Sequence, residues 1–218
     1  MKIHHASAIL ALSFFLAPAP AQAQPEFVKD NVTKIVRKLG VHVNMSVREP
    51  LDHDVTKGTT FGGSLVLGGG RSTGWKYPIA LTTFNEYLHA PDGGQFATLK
   101  SWAIVGGVGY GWNFGKLSVS PAVQTGVAFN SGRLAGNASQ TFNTDGPVSI
   151  KVGKSLLLRP KLTLEYFLTP KFTVRTSADY MLTQPNITVT TPTGSIGDRW
   201  NASSFHASFG FGFYPFRK

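Results

Sequence analysis

The chain has 218 residues, a formal net charge of +10 and no cysteine. That length suits one domain. The missing cysteines exclude disulfide frameworks, thiolate metal sites and cysteine nucleophiles, so stability must come from packing and backbone pairing. With 16 phenylalanines, 24 glycines and only 15% charged residues, the chain is too aromatic for a disordered protein. Its composition suits a β-structure whose outer surface meets lipid.

Residues 1–23 read as a secretory signal. Lys2 supplies the positive n-region, an apolar stretch runs from Ala6 to Ala17, and Ala21-Gln22-Ala23 fits the small-x-small cleavage pattern, making Gln24 the first mature residue. The apolar run is too short for a membrane-spanning helix, which needs about 20 apolar residues. No comparable run follows, which argues against a helical membrane protein. Residues 24–40 form a lead-in. Val28, Val32, Ile35 and Leu39 make a helical stripe among Lys29, Lys34, Arg37 and Lys38, with Gly40 as terminator. This predicts a short basic amphipathic helix; a frayed first strand and a disordered lead-in are the alternatives.

From residue 41 to 218 the organising feature is period two, the mark of strands with one apolar and one polar face. Val41, Val43, Met45 and Val47 alternate with His42, Asn44, Ser46 and Arg48. Apolar faces recur at Phe61–Leu67, Trp75–Thr83, Trp102–Trp112, Leu117–Phe129, Leu156–Tyr166, Phe172–Tyr180 and Phe205–Phe213. Short connections (Gly70–Gly74, Phe114-Gly115, Thr169-Pro170-Lys171) alternate with long ones (Glu49–Thr60, Glu86–Ser101, Asn130–Lys154, Thr183–Ser204). The fold class is therefore all-β: an eight-stranded antiparallel up-and-down transmembrane β-barrel, with short turns at one end and long loops at the other. A soluble barrel would reverse the faces. Aromatics also speak for a membrane. Phe61, Tyr87, Trp102, Phe129 and Tyr180 fall at the loop ends of the outward faces, and Trp75, Trp112, Phe172 and Phe213 at the turn ends. Two aromatic girdles around an aliphatic band are expected at two membrane interfaces.

Signal, strand number, girdles and the final Phe205-x-x-x-Phe209-x-Phe211-x-Phe213 strand together resemble the small outer-membrane barrels of the OmpA transmembrane-domain and OmpX type. The resemblance covers nearly all the mature chain and is one of architecture. It implies a Gram-negative outer membrane, contact with outer-membrane lipid and lipopolysaccharide, and recognition of a terminal aromatic residue by the barrel-assembly machinery. Tyr214-Pro215-Phe216 extends past Phe213, which leaves Phe213 and Phe216 both open as that signal. A periplasmic anchoring domain is not expected.

Candidate chemistry is sparse. Asp52-His53-Asp54 lacks converging ligands and reads as a solvated loop, so no metal or cofactor is expected. The Asn-x-Ser/Thr triplets at Asn137 and Asn186 read as chance occurrences among polar loop residues. His206-x-Ser208 is similar, over two residues, to the pair of barrel lipid A deacylases, but the period turns both inward and no third group orients the histidine. An acyltransferase needs an apolar interior slot, whereas the inward residues read as charged and polar. Between strands six and seven, the turn Thr169-Pro170-Lys171 closed by Leu168 and Phe172 sets a register. It places Glu165 opposite Arg175 and Lys161 opposite Asp179, with Thr163 opposite Ser177 between them. Two complementary ion pairs inside the lumen are expected.

The expected role is non-enzymatic: a structural or surface-interaction barrel acting through its long loops. The alternatives are a lipid A-modifying enzyme and a narrow channel. The basic surplus gathers in the turns and termini rather than the long loops, which argues against a surface receptor for anionic ligands. It suits contact with the inner leaflet. No nucleic-acid partner is expected.

Overall fold

The computed structural model describes residues 39–216 apart from 53–55, 71, 91–92, 137 and 143. The signal segment and nearly all of the lead-in, including its predicted helix, lie outside the described residues, as do His53, Asp54 and Asn137.

Strands form where apolar and polar residues alternate. In β1 (Gly40–Pro50) every second residue is buried, and β8 (Ser155–Phe167) shows the same pattern throughout. The others are β2 (Thr60–Gly68), β3 (Gly74–Lys76), β4 (Ile79–His89), β5 (Gln95–Phe114), β6 (Leu117–Leu134), β7 (Ser149–Val152), β9 (Phe172–Thr183), β10 (Asn186–Thr191), β11 (Gly194–Arg199) and β12 (Ser204–Phe213). The helix among the described residues is a single turn, α1 (Ala138–Thr141).

β3 and β4 are two pieces of one wall strand, both paired to β5 and separated by Tyr77 and Pro78. Pro78 has no N–H to give to the ladder. Counted so, the wall has eight antiparallel strands, closed by β1 pairing β12 and β5 pairing β6. At the short turns the backbone is satisfied locally. Leu168 N donates to Phe172 O at 3.0 Å, and the Thr169 hydroxyl accepts from the amides of Lys171 and Phe172. Gly115 supplies the left-handed residue (φ 66°) of the β5–β6 turn.

The loop end differs from the expectation. The segments 86–89, 95–101 and 130–134 are not loop: β4 and β5 pair as far as His89 and Gln95, and β6 runs to Leu134. The reason is apolar burial. Leu88, Ala97 and Leu99 turn inward and pack with Trp200 and Ala202. The long connections that flank the β8–β9 hairpin supply a second sheet, order β11-β10-β7.

Candidate functional site

The lumen is built in rungs, because the antiparallel registers carry inward residues of successive strands to one level. One rung is Arg48, His206, Asp179 and Lys161. Next toward the short turns comes a hydroxyl rung, Ser46, Ser208, Ser177 and Thr163. Asn44, Gly210, Arg175 and Glu165 follow, then His42, Gly212, Thr173 and Phe167. The interleaved glycines of β12 have a steric role: a Cβ at Gly212 would overlap the His42 ring and the Thr173 hydroxyl.

The structure places Glu165 opposite Arg175 and Lys161 opposite Asp179, with all four side chains buried. The contacts they make differ from the expected pairs. Asp179 is held by Arg159, whose Nε and Nη2 donate to its two carboxylate oxygens at 2.5 and 2.8 Å, while Lys161 Nζ stays 3.8 Å away. A guanidinium fork matches both oxygens at once, and a point-like ammonium does not. Glu165 and Arg175 share no hydrogen bond or ion pair among the described residues. Glu165 Oε1 instead accepts from Thr173 Oγ1 and from Tyr214 OH, both at 2.9 Å, and lies 3.5 Å from His42 Nδ1. Among the described residues Arg175 donates to Thr163 Oγ1 alone, at 3.5 Å.

Tyr214 lies beyond the last strand yet keeps the inward phase. Its ring packs on His42 and Phe167, and its hydroxyl accepts from Gly70 N at 3.0 Å. Toward the loop end, Arg48 pairs with Glu86, donates to Ser204 Oγ and Ala202 O at 2.6 and 2.8 Å and lies over the Phe84 ring.

His206 does have neighbours that the sequence left unassigned. Its Nε2 meets Ser204 Oγ at 2.9 Å, and its Nδ1 lies 3.8 Å from Asp179 Oδ1. Ser208 instead pairs with Ser177 at 2.5 Å. Thus Ser204, not Ser208, is the histidine's partner. Ser204 is fully buried and already accepts from Arg48 Nε, while His206 Nδ1 makes no hydrogen bond among the described residues. Nor is the interior polar all round. Val66, Ala80, Phe84, Ala103, Val105, Ala128, Leu157 and Met181 form a buried inward cluster. That corrects the expectation of uniformly charged and polar inward residues. Each of its members is at most 3% exposed.

Outside, the polarity is inverted. Met45 is 75% exposed and Leu156 77%, within a continuous aliphatic surface that water does not favour. Of the nine aromatic positions, Phe61, Trp75, Tyr87, Trp102, Trp112, Phe172, Tyr180 and Phe213 are exposed. Phe129 is half-buried, because Trp102 stacks on it at 4.2 Å and Lys154 Nζ covers it at 5.0 Å.

No protein-family model and no curated protein matches the chain. Solved structures do. The outer membrane protein OprG from Pseudomonas aeruginosa is 16% identical, with 81% of this chain and 95% of that chain covered and a TM-score of 0.64. The outer membrane protein AlkL in lipid bilayers is 14% identical over 81% of this chain and 89% of that chain, TM-score 0.52. E. coli outer membrane protein W is 12% identical over 81% and 97%, TM-score 0.50. At these identities the likeness is one of fold, and the fold is that of the small eight-stranded outer-membrane β-barrels.

Proposed function

We propose that this eight-stranded barrel spans the outer membrane of a Gram-negative cell, exported by its signal segment, and acts there without catalysis as a surface-interaction protein through its long loops. One observation carries the reading: the loop residues build an ordered sheet instead of a pore mouth. β10 pairs β7 on one side and β11 on the other. Every residue of β11 is exposed, and its Ile196 is 76% exposed. An open strand edge with an apolar side chain is a template for a partner's backbone. The same loops close the barrel, since Leu88, Leu99 and Trp200 pack with Ile150, Val152 and Ile187 from the second sheet. Aromatic rings at both rims, lipid and lipopolysaccharide around the wall, the assembly machinery during biogenesis and a basic turn end facing the anionic inner leaflet all belong to this reading.

The test is to replace residues 187–198 with a Gly-Ser turn and to compare whole cells bearing either barrel for adherence to immobilised host proteins, glycans and one another. The expected result is equal surface display with adherence lost. Equal adherence would turn attention from the loops to the lumen.

A further inference from the structure

The lumen's charges do not balance. Buried inside are the cations Arg48, Arg159, Lys161 and Arg175 and the anions Glu86, Glu165 and Asp179. Lys76 Nζ also points inward, donating to Gly70 O at 2.7 Å and to Ser118 Oγ at 3.2 Å. Five cations against three anions leave two positive charges uncompensated. The pairing shows where they are. Arg48 takes Glu86 and Arg159 takes Asp179. Lys161 Nζ lies 3.8 Å from the same Asp179, and Lys76 and Arg175 are left to share Glu165, whose Oε1 is already engaged by Thr173 and Tyr214.

These three cations line one cavity of about 40 Å³ in the turn-end half of the lumen, with Gln124, Ser120 and Thr163 beside them. Its walls carry unspent hydrogen-bonding capacity. Among the described residues Arg175 Nε has no hydrogen-bond partner, and neither has Gln124 Oε1; turning the Gln124 amide over presents its NH2 instead. Thr163 only accepts, weakly, from Arg175, so its own O–H is free to donate inward. A buried cation without a counter-ion is costly, and a donor left unmade costs its desolvation.

We propose that this cavity is a binding site for a small inorganic anion of halide size, held by Arg175 and Lys161 with Lys76 at its turn-end side. The size follows from the space: about three water volumes, at roughly 10–15 Å³ for each probe sphere, accept a monatomic anion more readily than a fully coordinated oxyanion. Glu165 is the one carboxylate that lines the cavity beside these three cations, and the ligand supplies the further negative charge.

The experiment uses the full chain refolded in detergent micelles. Sodium concentration and ionic strength are held fixed while gluconate is exchanged for bromide, and the urea unfolding midpoint is read. A ligand that binds only the folded state raises the midpoint along a saturating curve. The expected result is one-site saturation in the parent protein and its loss in Lys161→Met, together with a single bromide anomalous peak between Arg175 and Lys161 in crystals of the parent grown with bromide. A flat midpoint, or a rise that does not saturate and is equal in Lys161→Met, overturns the site. If Lys161→Met fails to fold, the crystals of the parent decide alone, and absence of the peak overturns it.

Discussion

Tyr214 donates its hydroxyl to Glu165 at 2.9 Å, so a residue beyond the last strand closes the short-turn end of the lumen. The same oxygen accepts from Gly70 N at 3.0 Å. Two buried polar groups from different strand ends thus depend on one phenol.

Tyr214→Phe keeps the ring packing on His42 and Phe167 and deletes only the oxygen. It leaves the Gly70 amide unmade and Glu165 with one donor fewer. The expected loss is about 1–3 kcal/mol in urea unfolding, the usual cost of orphaning buried polar groups. An unchanged midpoint would mean that water replaces the phenol and that the plug is not structural.

Much of this was legible because a strand's side-chain period is fixed. Inward Arg48, Arg159 and Asp179 follow from phase alone. The β8–β9 register follows from the three-residue turn, which admits one pairing once Leu168 and Phe172 close it. Partner choice was not legible. Asp179 has Lys161 directly opposite and Arg159 two residues away, and the geometry of the guanidinium, not the ladder, selects Arg159. The Ser204–His206 contact joins alternate residues on one strand face, and the His206-x-Ser208 pattern does not point to it. The second sheet was missed because β7 and β10 are separated by the whole β8–β9 hairpin. A local signal existed, though, in the β-branched run Ile187-Thr188-Val189-Thr190 followed by Pro192-Thr193-Gly194.

The Arg159–Asp179 fork is the best-satisfied charge pair in the lumen, with Thr82 Oγ1 also accepting from Arg159 at 3.3 Å. Asp179→Asn keeps the shape but leaves Arg159 and Lys161 facing each other uncompensated. It should destabilise by about 3–5 kcal/mol, as broken buried pairs do. Replacing both partners by apolar residues, Arg159→Met with Asp179→Leu, should recover part of that loss. A double replacement as costly as the two single ones added would show that the pair is not coupled.

The outward face predicts a depth profile. Leu81 sits midway along the wall strand that β3 and β4 make together, while Leu156 lies at the loop end of β8; both are exposed. In lipid vesicles Leu81→Lys should cost about 2–4 kcal/mol and Leu156→Lys about 0–1, because the penalty for a lysine falls from the midplane to the interface. Equal costs, or none, would place the wall in water.

Planar-bilayer recording separates a closed barrel from a channel. Eight strands leave an interior just wide enough to be filled by side chains, and here three closures lie in series. At the loop end Leu88, Leu99, Trp200 and Ala202 form a buried apolar plug. In the middle, Arg159 and Asp179 bridge two wall strands, with Thr82 on the far side. At the turn end Tyr214, His42 and Phe167 pack ring on ring. An ion crossing the barrel must displace all three, so the intact protein should show no steady conductance. Trp200→Ala alone should stay silent, because the other two closures remain. An anion held by Lys161 and Arg175 sits between the middle and turn-end closures, so occupancy there does not imply transport. Steady conductance in the intact barrel, abolished by filling the lumen further with Ser177→Phe, would restore the narrow channel as the function and demote the loops to a lid.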